Sequence, residues 1–296
     1  MALVSSITSG FTNPFGVAAT PDGSQVWVTE SGTNTVSVIP TGGSAPNKIA
    51  STIVVGIYPH GIAITPDGTT AYVANTGPNT GPGGSETVSV IDVASQKVTG
   101  TVSVGEAPMT VSISADGSLV FVTCADGVYV IKAAGGHVRR VHERLRNLHG
   151  VAVSPDGAHA YITDTDHDAV LVINTARLHR VDRVPVGRTP WHVAFGPDGS
   201  SAYVTNANDN TVSVIDAAKR RVTTTIPLGS GTTTDAVTTF TQLNQIPTAV
   251  GLSPDGTIWV TCNASSSVVV IDPATNAVVK SIDIGIADEP TGIAFA

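Results

Sequence analysis

Three histidines, His60, His149 and His192, and two carboxylates, Glu30 and Asp164, are the side chains of this sequence best placed to move protons. Histidine titrates near neutrality, and a neighbouring carboxylate can orient it and raise its basicity. His60 and His149 each stand one residue into a short apolar run, a place held elsewhere by Phe15, Met109, Trp191, Thr248 and Thr291; His192 follows Trp191. Glu30 and Asp164 close a second kind of run, at the place held elsewhere by Asn75, Cys124, Asn206 and Cys262. This pattern predicts acid–base chemistry carried by His60, His149, Glu30, Asp164 and His192. Phe15, Met109 and Trp191 would supply the apolar wall usual in small-molecule pockets. Asn75, Cys124, Asn206 and Cys262 would complete the substrate-binding rim, each thiol being either a nucleophile or a small apolar filler. Three imidazoles with a carboxylate also form an acceptable ligand set for Zn²⁺ or another divalent cation. The predicted chemistry requires no cofactor, and no H-x-x-x-H spacing, G-x-S-x-G, P-loop or dinucleotide fingerprint is present.

These residues are positioned by one unit written six times. Pro14-Phe15-Gly16-Val17-Ala18-Ala19-Thr20-Pro21-Asp22-Gly23 recurs from Pro59, Pro108, Leu148, Pro190 and Pro247. The Asp of each Asp-Gly falls at 22, 67, 116, 156, 198 and 255, and an incomplete copy begins at Pro290. Each unit reads as four short strands. Strand A is the apolar run before Asp-Gly, whose chemistry is that of a tight turn. Strand B is a run such as Ala202-Tyr203-Val204-Thr205, strand C alternates as in Thr211-Val212-Ser213-Val214-Ile215, and strand D is a run such as Val222 to Ile226. Four strands repeated about every 40–45 residues match a β-propeller blade, because a lone blade cannot bury both faces.

Tyr203-Val204-Thr205-Asn206 followed by Thr211-Val212-Ser213-Val214-Ile215-Asp216 resembles the YVTN-repeat β-propellers, with Trp27-Val28-Thr29, Phe121-Val122-Thr123, Tyr161-Ile162-Thr163 and Trp259-Val260-Thr261 as variants. The resemblance covers nearly the whole chain. It implies an all-β fold, a single propeller domain over 1–296, and a family that spans surface-layer proteins and lactonase- and lyase-like enzymes. Six complete repeats predict six four-stranded antiparallel blades. A spare strand D at Leu3 to Ile7 and a spare strand A at Thr291 to Ala296 leave open an incomplete seventh blade. Two insertions, Gly77 to Ser85 and Ser230 to Gln245, are expected to rise from the face that carries the candidate residues.

The 296 residues are only 13% charged, about half the usual fraction, and 41% hydrophobic. The net charge of −8 argues against a nucleic-acid binder. Residues 132–221 hold 12 basic and 9 acidic residues, whereas the rest hold 3 and 14. That local excess suits either an anion-binding flank or protection of outer edge strands. No apolar stretch is long enough to span a membrane. An N-terminus with no basic or apolar leader, together with two distant cysteines, predicts a cytoplasmic protein with free thiols. Two functions compete on these features. One is an enzyme that opens, eliminates or cyclises a small organic ligand at the axial mouth; the other is a non-catalytic scaffold that binds a protein or glycan on its loop face.

Overall fold

The computed structural model describes residues 10–42, 48–77, 86–141, 145–228, 246–284 and 292–295. They form six four-stranded antiparallel sheets, each with its strands in the order A-B-C-D, and no helix. The protein is therefore an all-β six-bladed propeller, as the repeats predict. The A strands, Pro14–Ala19, Pro59–Ile64, Val111–Ile113, Leu148–Val153, Pro190–Phe195 and Pro247–Leu252, form the inner ring. The B strands are Gln25–Glu30, Thr70–Asn75, Leu119–Cys124, His159–Asp164, Ser201–Asn206 and Ile258–Cys262. The polar, exposed D strands, such as His179–Pro185 and Ala277–Asp283, lie outermost. Among the described residues, no helix is long and apolar enough to cross a membrane. The candidate loop residues 78–85 and 230–245 and the spare segment Leu3 to Ile7 lie outside the described residues.

The Asp-Gly turns close the end of each A–B hairpin. Thr20 Oγ1 donates to Asp22 Oδ1 at 2.6 Å, and Ser24 N donates to the same oxygen at 3.0 Å; Asp67, Asp116 and Asp156 repeat the arrangement. These hydrogen bonds hold the carboxyls of Asp22, Asp116 and Asp255 down at about 2. Gly23, with φ 68°, supplies the left-handed residue that such a turn needs.

The described residues form five apolar clusters, one at each successive interface from the first and second blades to the fifth and sixth. The B-strand aromatics Trp27, Tyr72, Phe121, Tyr161 and Tyr203 are buried there. Gly292–Phe295 stands between the sixth blade and the first. A Cβ at Gly292 would meet Phe15 O at 2.8 Å, and one at Gly61 would meet Met109 O at 2.6 Å. On the other side, Ile293 Cγ2 lies 3.0 Å from a Cβ built at Gly251, and Phe295 packs edge-on against Trp259 at 5.6 Å. The C-terminal segment thus occupies a seventh inner position, in no sheet among the described residues.

Candidate functional site

The candidates sit where strand A is irregular. Its register with strand B slips between Pro14 and Val17, Pro59 and Ile62, Leu148 and Val151, Pro190 and Val193, and Pro247 and Val250. The residues inside those slips are Phe15-Gly16, His60-Gly61, His149-Gly150, Trp191-His192 and Thr248-Ala249. A bulge bends its strand and re-aims side chains, and these bulges aim the predicted ring. The residue before each run has positive φ, including the β-branched Thr189 (54°) and Ile246 (44°). Such conformations cost on the order of 1–3 kcal/mol each, so strain is concentrated at this end of the ring.

In four of the blades a buried threonine of strand B holds the start of strand A and links it to the next blade. Thr29 Oγ1 accepts from Gly16 N at 2.8 Å and donates to His60 O at 2.6 Å. Thr123 Oγ1 accepts from Thr110 N at 3.1 Å and donates to His149 O at 2.6 Å. Thr163 joins Gly150 N to Trp191 O, and Thr205 joins His192 N to Thr248 O. The second blade has Ala74 at this position, and there Gly61 N donates directly to Met109 O at 2.8 Å. Sequence reasoning missed these positioning threonines, although a recurrent hydroxyl inside an otherwise apolar run was the available signal. Thr123→Val keeps the shape but strips partners from two partly buried backbone groups. We expect it to lower stability by about 1–3 kcal/mol in denaturant titration; an unchanged midpoint would contradict the role given to Thr123.

Inside the ring is a cavity of about 330 Å³. Phe15, Met109, His149, Trp191 and His192 all line it, five of the residues expected there. His149 stacks on Trp191 with centroids 4.0 Å apart, and His60 stacks on Phe15 at 3.8 Å with Tyr58 tilted over it at 5.4 Å. His60 therefore adjoins the cavity through Phe15. Burial lowers all three imidazole pKa values: His60 and His192 to about 4, and His149 below its ordinary value. The nearby His149 further disfavours charge on His60, Asp166 partly offsets the shift at His149, and a hydrogen bond to the Val250 backbone partly offsets it at His192. The Nδ1 atoms of His60 and His192 are buried without a hydrogen-bond partner.

The remaining candidates stand one layer out, at the B–C hairpins, and do not line the cavity. Asn75 Nδ2 donates to Thr87 Oγ1 and Ser89 Oγ, and Asn206 Nδ2 to Thr211 Oγ1 and Ser213 Oγ. Glu30 accepts from the equivalent Ser37 and, at 2.9 Å, from Thr12 N. Asp164 binds His167 Nδ1 at 2.9 Å and lies 3.7 Å from Arg183. His167 thus belongs to an exposed polar turn anchored on Asp164. In the blades of Cys124 and Cys262, strand C places Tyr129 and Val269 at the position of that serine. Both thiols are free and buried, and burial pushes Cys124 far up and Cys262 up to about 12. Among the described residues, no group of His, Cys, Asp or Glu is assembled to hold a metal ion.

Residues 122–281, more than half of the chain, match the family model described as "Lactonase, 7-bladed beta-propeller". The chain belongs to this family. The described residues form six four-stranded sheets, one fewer than the family's description, and Gly292–Phe295 takes the seventh inner place. No curated protein matches the sequence. Among solved structures, the chain is similar to Kuenenia stuttgartiensis hydrazine synthase at 19% identity and TM-score 0.75, over 99% of this chain and 92% of that one. It is similar to a streptogramin B lyase at 14% identity and TM-score 0.78, over 98% and 89% of the two chains. A functionally unknown protein from Desulfotomaculum acetoxidans DSM 771 aligns at 20% identity and TM-score 0.77, over 98% and 90%. At these identities the likeness is one of fold.

Proposed function

We propose that this protein hydrolyses a small lactone in the axial cavity, with His149 as the general base. The observation that carries the reading is the His149–Trp191 stack on the cavity wall, where an imidazole kept neutral by burial faces the same space as Phe15 and Met109. The family's name and the lyase among the structural neighbours favour ring-opening chemistry on such a scaffold. His149 would take a proton from water as its oxygen attacks the ring carbonyl. The acyl C–O bond then breaks, and the ring oxygen receives the proton from His149, giving a hydroxy acid. Glu30 and Asp164 are held by hairpin partners, so the proton-moving work in this reading rests on the imidazoles. His60 adjoins His149 electrostatically, and His192 lines the wall. No metal or cofactor enters these steps. The buried free thiols suit a reducing compartment, and a cytoplasmic location is part of the proposal.

The test is turnover of dihydrocoumarin. His149→Ala is expected to lower kcat by about 100-fold or more, the ordinary contribution of a positioned base, with its melting temperature preserved. His137→Ala, on the exposed outside of the third blade, is expected to leave kcat unchanged. Wild-type turnover is expected to fall as pH drops, with a midpoint below 6.5, because protonation removes the base and burial has moved its pKa down. Wild-type kcat in His149→Ala would contradict the assignment.

A further inference from the structure

The described wall of the 330 Å³ cavity carries no charged side chain. Among the described residues, its lining contains no Asp, Glu, Lys or Arg, and its polar side chains are Thr110, Ser112, His149 and His192. The nearest carboxylates along the B strands, Glu30 and Asp164, are held at the hairpins and do not open into it. The inner strands pack closely against one another. At the bulges they approach so closely that a Cβ at Gly61 would lie 2.6 Å from Met109 O, and one at Gly150 would lie 2.8 Å from Trp191 O. A charged ligand entering this space would lose its hydration and meet no opposite charge, a large uncompensated cost. A neutral ligand exchanges water for apolar and aromatic wall, which is favourable.

We infer that the axial cavity selects uncharged lactones and rejects phosphorylated or carboxylated ones. The same property acts on the product. Ring opening adds water across the acyl C–O bond, and the resulting acid ionises at neutral pH, so the neutral wall that admits the lactone expels the hydroxy carboxylate. Charge then gives the site its direction: substrate enters neutral and product leaves as an anion. This inference rests on the lactonase reading of the cavity. The volume lies at the small end of the range for ligand pockets, which fits a bicyclic or smaller lactone.

The experiment is isothermal titration calorimetry of the full chain at pH 7.5 with coumarin, coumarin-3-carboxamide and coumarin-3-carboxylate. The last two have nearly the same shape and differ in charge. Coumarin and the carboxamide are expected to bind, and the carboxylate to bind at least about tenfold more weakly than the carboxamide. Carboxylate binding as tight as, or tighter than, that of the carboxamide would overturn the charge selection while leaving the axial site in place. No binding of any of the three would remove the axial lactone site itself, and this inference with it.

Discussion

Lowering the pH from 7 to 4 is expected to destabilise the folded state by several kcal/mol. His60 and His192 have folded pKa values of about 4, against 6.5 for an unperturbed histidine. Between those values the unfolded chain binds a proton that the folded chain refuses, so stability falls as pH falls. Nothing is lost above 6.5, and the loss is complete once pH passes below 4. A shift of this size corresponds to about 3 kcal/mol for each histidine, so the pair accounts for about 6–7 kcal/mol, a large part of a typical folding free energy. His149 and His159 are shifted in the same direction and add to the effect. The check is the denaturant midpoint measured across this pH range. His192→Phe keeps a ring of similar size without a titratable nitrogen, and should flatten the curve by about half. A wild-type midpoint that does not change between pH 7 and pH 4 would contradict the burial assigned to these imidazoles.

Gly16→Ala is expected to lower stability by about 3 kcal/mol or more, and to impair the site as well. A methyl at Gly16 would overlap the carbonyl oxygen of His60 on the next blade. That oxygen cannot simply yield, because it accepts from Thr29 Oγ1 at 2.6 Å and belongs to the residue stacked on Phe15. Gly100 gives the contrast: it lies in the outer strand Lys97–Ser103 with nothing within 4 Å of an added Cβ. Gly100→Ala is expected to be neutral or slightly stabilising, because it removes freedom from the unfolded chain. Thermal melts of the two variants decide the matter, and equal melting temperatures would contradict the close approach of the inner strands.

The blade architecture was legible because its signals are local. Pro-Asp-Gly turns, alternating strands and a repeating period each lie within a few residues, and together they fix four strands per unit. The inner ring was legible for the same reason, since Phe15, His60, Met109, His149 and Trp191 share one place in the repeat. The outer candidates lie in a different layer from the inner ring. Glu30, Cys124, Asp164 and Cys262 depart from the repeat, but each stands at a B–C hairpin one layer out from the cavity, where Glu30 is held by Ser37 and Thr12 N and Asp164 by His167. The threonine locks went unseen because Thr29 and Thr123 act on carbonyls of the following blade, and contacts that cross blades leave no local pattern. The place of Gly292–Phe295 beside Phe15 was open for the same reason, since it joins opposite ends of the chain.

The most direct test of the central claim is histidine-selective ¹⁵N NMR of the full chain at pH 7, with and without coumarin. The imidazoles of His60, His149 and His192 should be neutral in both states, with the His149 and His192 signals moving on addition of ligand while those of the exposed His137 and His179 stay fixed. Charged imidazoles at the axial positions, or ligand-induced shifts confined to His137 and His179, would contradict a neutral ligand site at the centre of the ring.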